Sequence, residues 1–207
     1  MGNEQSGAVS YGGKQYEIVE DLVVKQKDKR KFLILVNIIS IVVMLIVAAA
    51  GIAAILLLHE KGAAQFNFVA FLLLMLSFIA YIFVHEFLHG LAFRIAGKVP
   101  WKHISYGVVV KSGMAYCISE VPVPLSASRI SLLAPFVLVC VPVIAFSIIF
   151  GNIALLIAGA FYTSGSAGDF WYLWILRKKP KDLYMIEEKP TGGEYNLGCR
   201  LVRPVEE

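Results

Sequence analysis

Charged side chains are scarce in this sequence. Asp, Glu, Lys and Arg together make up 16% of the 207 residues, whereas hydrophobic residues make up 58%. Soluble domains have about 25% charged residues and about 45–50% apolar ones. So few charges cannot cover the surface of a large soluble domain. The composition therefore predicts an integral membrane protein with a single membrane domain and short tails.

Cysteines are also few, and none belongs to a Cys-x-x-Cys pair. The 3 cysteines, Cys117, Cys140 and Cys199, are an odd number and give no basis for a disulfide framework. Basic and aromatic residues are not interleaved in a nucleic-acid-binding motif, and the net charge of +4 comes from lysine clusters beside apolar runs. The expected surrounding is therefore the lipid bilayer, and no nucleic-acid partner is expected.

Four long apolar segments define the predicted organisation, since a span needs about 20 apolar residues. The expected fold class is an all-α integral membrane protein with about four transmembrane helices, at 32–58, 66–97, 130–150 and 153–176. Residues 1–31 and 177–207 are expected to form polar tails. Between the second and third spans, two short strands at Ile104–Val110 and Met114–Val121 predict a β-hairpin around residues 111–113.

Basic residues predict how these spans are oriented. Three clusters, at 25–31, 94–102 and 177–181, fall on one side of the four-span arrangement, and the other side has only Lys61. Loops rich in Lys and Arg face the cytoplasm. Both termini are therefore expected in the cytoplasm. A polar stretch of about thirty residues precedes the first span, so no cleavable signal peptide is predicted.

The second span contains the motif His85-Glu86-x-x-His89. Residues four apart share one face of a helix, so the two imidazoles can bind one ion. Glu86 follows the first histidine and is placed to reach a water rather than the ion. This pattern is typical of zinc hydrolases, with His85 and His89 as metal ligands and Glu86 as general base. Buried core histidines are the alternative, but polar groups in a membrane segment are usually functional.

A catalytic zinc usually has three protein ligands. Asp169 is the preferred third ligand because, of all the acidic residues, only Glu86 and Asp169 lie inside apolar spans. Asp169 is roughly 12 Å from the end of its span at Arg177, and His85 is roughly 13 Å from Arg94, so their depths agree. Gly165, Ser166, Ala167 and Gly168 are expected to allow close approach to the motif helix.

Three alternatives remain open for this part of the site. His103, in the loop after the motif helix, is a possible third ligand. Asp169 could instead cap a helix, or pair with Arg94 or Lys98. His59 is expected in an external turn without a metal role, because it lies on the opposite side.

The order of these features resembles the site-2 protease family of intramembrane zinc metalloproteases. Between Phe66 and Leu176 come a His-Glu-x-x-His helix, a strand-bearing loop, one span, and a span with an aspartate. The chain is more closely similar to small bacterial membrane proteins grouped as zincin peptidases. Gly168-Asp169-Phe170 stands where site-2 proteases usually have Leu-Asp-Gly, and no PDZ-like domain is present, so the resemblance implies nothing about how substrates are recognised.

The resemblance implies a membrane metalloprotease domain at 32–176 in a bacterial cell membrane, with Zn²⁺ as cofactor. The implied reaction is hydrolysis of peptide bonds in membrane proteins or peptides, with Glu86 as base. A non-catalytic metal-binding or transport protein, or a scaffold, is the alternative. A substrate must be locally extended, and an edge of the hairpin could pair with it as an added strand. An ordinary cytoplasmic loop is equally compatible with that segment.

Overall fold

Helices dominate the described part of this chain. The structure is a computed structural model, and it describes residues 8–11, 13–24, 26–59, 67–109, 114–189 and 198–205. The helices are α1 (Lys29–Leu58), α2 (Phe68–Ile95), α3 (Leu125–Pro135), α4 (Val141–Ile149), α5 (Ile153–Gly165) and α6 (Ala167–Leu176). A π-helical segment, Phe136–Cys140, continues α3 into α4. The strands are β1 (Ala8–Tyr11), β2 (Lys14–Asp21), β3 (Ile104–Val109), β4 (Met114–Ser119), β5 (Val123–Pro124), β6 (Tyr184–Ile186) and β7 (Arg200–Pro204).

Three helical segments among the described residues are long and apolar enough to cross a membrane. They are α1, α2 and the continuous segment Leu125–Ile149. Many of their large apolar side chains face outward, including Leu57, which is 85% exposed. A chain in water would bury such side chains, whereas lipid solvates them. These helices indicate that the protein associates with a membrane.

The predicted span at 153–176 is divided into two helices. Asn152 caps α5 by accepting a hydrogen bond from the Leu155 amide at 2.9 Å. The helix ends at Gly165, and the Ser166 amide bonds to Thr163 O at 3.1 Å in a tighter turn. Glycine and serine favour such a break because they stabilise a helix poorly. A single fourth spanning helix is therefore not present, and four crossings stay a prediction.

The all-α expectation is wrong, because residues predicted as polar tails form part of a sheet. Five antiparallel strands lie in the order β1-β2-β7-β6-β5. The strands are short, and β2 pairs with β7 through contacts such as Tyr16 with Pro204. Strands β1 and β2 form a local hairpin, whereas β2 with β7 and β5 with β6 are distant in sequence, so no local pattern predicts those pairings.

The predicted hairpin between the second and third spans is present. Strands β3 and β4 form a separate two-stranded antiparallel sheet in which Tyr106 is opposite Cys117. Residues 110–113, which include the expected turn, lie outside the described residues. Two short runs rich in apolar and aromatic residues flank Lys111-Ser112-Gly113, and this local signal explains why the hairpin could be predicted.

The chain divides into two compact units. One comprises Met1–Phe32, Glu86–Leu132 and Leu173–Glu207, and the other comprises Leu33–His85 and Leu133–Tyr172. The first contains both sheets, and one of its cores joins the end of α2 to the hairpin and α3 through Phe93, Val99, Ile104, Cys117, Val123 and Ala127. The second has a core of Tyr81, Cys140, Ala158 and Tyr162.

Candidate metal centre

Helix α2 presents the residues of the His-Glu-x-x-His motif. His85 and His89 lie one turn apart and are both buried, with 8% and 7% of their surface exposed. Glu86 is half-buried on the adjacent face of the helix. The regular helix therefore aligns the two imidazoles and separates them from the carboxylate.

Asp169 faces the first histidine from the first turn of α6. Its buried Oδ2 lies 3.2 Å from Nε2 of His85. One ligand atom each from His85, His89 and Asp169 lies within 4.8 Å of the others, and this is the one such group of metal-binding side chains among the described residues. The structure thus brings together the three residues that the sequence predicted as ligands.

These donors fit a zinc ion. Two imidazole nitrogens and one carboxylate oxygen form a common catalytic zinc set. With bonds of about 2.0–2.1 Å, two ligands of a tetrahedral zinc would be roughly 3.3 Å apart. The 3.2 Å between His85 and Asp169 is close to that value. A nitrogen lone pair and a carboxylate oxygen at this distance repel unless a proton or a cation lies between them.

Tyr81 holds the first histidine from behind. Its hydroxyl lies 3.0 Å from Nδ1 of His85 and 3.4 Å from the sulfur of Cys140. The Tyr81 ring stacks on the ring of Tyr162 with centroids 4.5 Å apart. Because Nδ1 is engaged, Nε2 is the nitrogen that His85 turns toward Asp169. Tyr81 was not predicted as a site residue, although its spacing of four residues from His85 places it on the same helix face.

Ser131 holds the second histidine. Its carbonyl oxygen lies 2.9 Å from Nδ1 of His89, and its hydroxyl donates to the His89 carbonyl at 3.1 Å. A carbonyl can only accept, so Nδ1 of His89 carries the proton and Nε2 has the lone pair that a metal needs. Sequence analysis missed this residue too, since no local signal links it to His89.

Glu86 lies beside the hairpin. Burial is the main cause that raises the pKa of Tyr106. The nearby Cys117 and Glu86 raise this pKa further. Burial and the Glu86 charge likewise raise the pKa of the Cys117 thiol. Gly90, one turn after Glu86, allows this proximity, because a Cβ there would collide with the Tyr106 ring and hydroxyl. The hairpin therefore touches the helix face that presents the predicted base.

The other sequence candidates lie elsewhere. His103 ends a short 3₁₀ turn before β3 and is not part of the metal-binding group described above. Nε2 of His59 lies 2.8 Å from the Ile148 carbonyl, which is a structural role. Gly165 faces Tyr81 at 3.5 Å from where its Cβ would be, as expected for close approach, whereas nothing lies within 4 Å of a Cβ at Gly168. The expectation for Gly168 is therefore wrong.

One comparison with known proteins identifies a family. The sequence model of the family described as "Putative zincin peptidase" matches residues 78–184, slightly more than half of the chain. The matched region includes the His-Glu-x-x-His motif, the hairpin and Asp169. No curated protein and no solved structure matches the chain. The chain belongs to the zincin peptidase family of that description.

Proposed function

We propose that this protein is a membrane-embedded zinc metallopeptidase that hydrolyses peptide bonds in membrane proteins or peptides. The observation that carries the proposal is the buried group of His85, His89 and Asp169. It lies within the region that matches a zincin peptidase family. A buried carboxylate beside two oriented imidazoles is costly to maintain without a bound cation.

Each residue of the site has a distinct chemical task. Nε2 of His85, Nε2 of His89 and a carboxylate oxygen of Asp169 would hold the zinc ion. A zinc ion bound by these residues would supply a Lewis acid for the scissile carbonyl and would lower the pKa of a bound water toward neutrality. Glu86 accepts the proton of the attacking water and passes it to the leaving amine. Tyr81 and Ser131 keep the two imidazoles in the orientation that the ligands need.

The five-stranded sheet supports a topology of four crossings. Strand β2 precedes α1, β5 lies between α2 and α3, and β6 and β7 follow α6, yet all belong to one sheet. A bilayer cannot pass through a hydrogen-bonded sheet of this kind, so these segments share one side. The chain would then cross the membrane away from this side and back again twice. Helices α5 and α6 together would form the last crossing. The basic clusters favour the cytoplasm for the shared side.

The order of elements also supports a kinship with site-2 proteases. The motif helix is followed by the hairpin, by one membrane-length segment and by the helix that contains Asp169. In a site at membrane depth, the substrate must unwind before its carbonyl becomes accessible. Strands β3 and β4 pair only with each other among the described strands, so each has an edge that a substrate strand can join.

Zinc content and proteolysis together test the proposal. Purified wild-type protein should contain about one zinc per chain, and Ala at His85, His89 or Asp169 should lower that content. Glu86→Gln should keep zinc but abolish cleavage of single-span membrane peptides, detected as new termini by mass spectrometry. His103→Ala is the matched control and should retain both properties.

Two outcomes would contradict parts of this proposal. Full zinc content in Asp169→Ala would remove Asp169 from the site and turn attention to His103. Zinc binding without cleavage by the wild-type protein would favour a metal-binding, transport or scaffold protein instead.

A further inference from the structure

A buried proline ends helix α3 one turn after Ser131. Pro135 is fully buried, and α3 runs directly into the π-helical segment at this residue. In a regular α-helix, the amide of residue 135 would donate to the carbonyl of residue 131. Proline has no amide hydrogen, and its ring displaces the carbonyl four residues back. The Ser131 carbonyl therefore lacks its usual helical donor.

That same carbonyl is the acceptor for the metal-centre histidine. Ser131 O lies 2.9 Å from Nδ1 of His89, and both residues are buried. The Ser131 hydroxyl adds a second tie to the same turn of α2 by donating to the His89 carbonyl at 3.1 Å. The histidine thus occupies the acceptor that the missing amide leaves available.

We propose that Pro135 is a positioning residue of the metal centre. By withholding a backbone donor from Ser131, it reserves that carbonyl for the Nδ1 hydrogen of His89. This fixes the His89 tautomer with its lone pair on Nε2 and fixes the plane of the ring. The inference rests on the proposed function, because it assumes that His89 binds zinc. Pro135 itself touches neither zinc nor substrate.

A second proline in the same membrane-length segment separates this role from a simple bend. Pro142 lies in the first turn of α4 and removes the donor for the carbonyl of Leu138. The Leu138 side chain is 57% exposed, on the outer surface of its helix. Both prolines perturb the helix, but only Pro135 acts on a carbonyl that holds a site histidine.

The test uses two variants of residue 135. One restores the backbone N–H, and the other lacks both the N–H and the proline ring. Pro135→Ala introduces an N–H at residue 135. A lactic acid residue at the same position, introduced through an ester bond, has the alanine side chain but no N–H. Pro142→Ala is the matched proline control. Zinc affinity is measured by competition with a chelator in detergent. The tautomer of His89 is read from ¹⁵N spectra of metal-free protein labelled at its 4 histidines.

Pro135→Ala should weaken zinc binding about tenfold, as loss of an outer partner of a metal ligand does. Its His89 should show a mixture of tautomers, where the wild type shows a hydrogen on Nδ1. The ester variant and Pro142→Ala should stay close to the wild type in both measurements. Equal zinc affinity and tautomer in Pro135→Ala and the wild type would overturn the proposal.

The ester variant keeps the proposal testable even if Pro135→Ala does not fold. Weakened zinc binding in the ester variant would mean that the proline ring, and not the missing amide, matters, and the proposal would be wrong. Failure of the proposed function gives a different result: the wild type would then bind no stoichiometric zinc, or His89→Ala would bind it as well as the wild type.

Discussion

At the scale of single residues, the two histidines of the site are held by partners of different kinds. His85 meets the Tyr81 hydroxyl, which can donate or accept, whereas His89 meets the Ser131 carbonyl, which can only accept. The Ser131 carbonyl therefore requires a hydrogen on Nδ1 of His89, and this single contact fixes the tautomer of that ring. The orientation of His85 depends on Tyr81 accepting from Nδ1 and donating onward, with Cys140 as the nearby acceptor.

Removing one hydroxyl should test this dependence. Tyr81→Phe keeps the ring that stacks on Tyr162 but loses the oxygen 3.0 Å from His85. We expect zinc affinity to fall about tenfold, with little change in thermal stability. Tyr162→Phe is the matched control, because its hydroxyl bonds to Ser77 and to the Leu74 carbonyl. If Tyr81→Phe binds zinc as tightly as Tyr162→Phe does, the Tyr81 hydroxyl does not orient His85.

The sequence predicted the residues that meet at the site but not those that orient them. Asp169 could be found because an acidic side chain in an apolar segment stands out, whatever its partner. Tyr81 could have been predicted, since it precedes His85 by four residues on the same helix. Ser131 could not have been predicted, because its main-chain oxygen makes the contact. Every residue has such an oxygen, so the sequence does not indicate which one bonds to His89. Pro135 lies inside the predicted span 130–150, where a proline by itself indicates no function because membrane helices tolerate it.

At the scale of elements, the hairpin has two distinguishable edges. The Glu120 amide donates to His103 O at 2.8 Å, which sets the phase of the antiparallel ladder. In that phase, hydrogen-bonded and non-hydrogen-bonded pairs alternate, so the amides of Tyr106 and Val108 point away from β4. The amides of Ala115 and Cys117 point away from β3 by the same register.

Proline at each edge should reveal whether a substrate strand joins the hairpin. Val108→Pro removes an outward amide of β3, and Ala115→Pro removes the outward amide opposite it on β4. Since a substrate can pair with one edge, we expect one variant to lose cleavage while the other keeps it. Both should keep the zinc content of the wild type. Unchanged cleavage in both variants would rule out strand addition at the hairpin.

The two sheets show why some elements could be predicted and others could not. The β3–β4 hairpin connects neighbours in sequence, and both strands and the glycine between them lie within one short segment. In the five-stranded sheet, the last strand pairs with the second, as in Ile18 with Val202. Strand β2 alternates locally, but nothing near it in the sequence indicates that its partner is β7, nearly two hundred residues later. The break at Ser166 had a local signal, because Gly165, Ser166 and Gly168 are poor helix formers, but the long apolar segments on both sides favoured the prediction of a single span.

At the scale of the whole molecule, sheet membership predicts which segments share a side of the membrane. In a variant without the native cysteines, single cysteines at Ser10, Lys102 and Lys181 should react with a membrane-impermeant reagent only after cells are permeabilised. A cysteine at Asn67, between α1 and α2, should react in intact cells. Lys181 is exposed, so access within the fold does not limit labelling. Opposite accessibility at Ser10 and Lys181 would contradict the four-crossing topology.

The position of β7 in its sheet has a consequence for how the protein is made. Strand β7 is the middle strand, between β2 and β6, yet it leaves the ribosome after every membrane-length helix. Until β7 is made, β2 lacks the partner on the edge that β7 occupies in the finished sheet. Synthesis that stops before Arg200 would yield a chain with every described helix but without the strand that joins β2 to β6. Loss of β7 would therefore leave β2 and β6 with open strand edges, which favour aggregation.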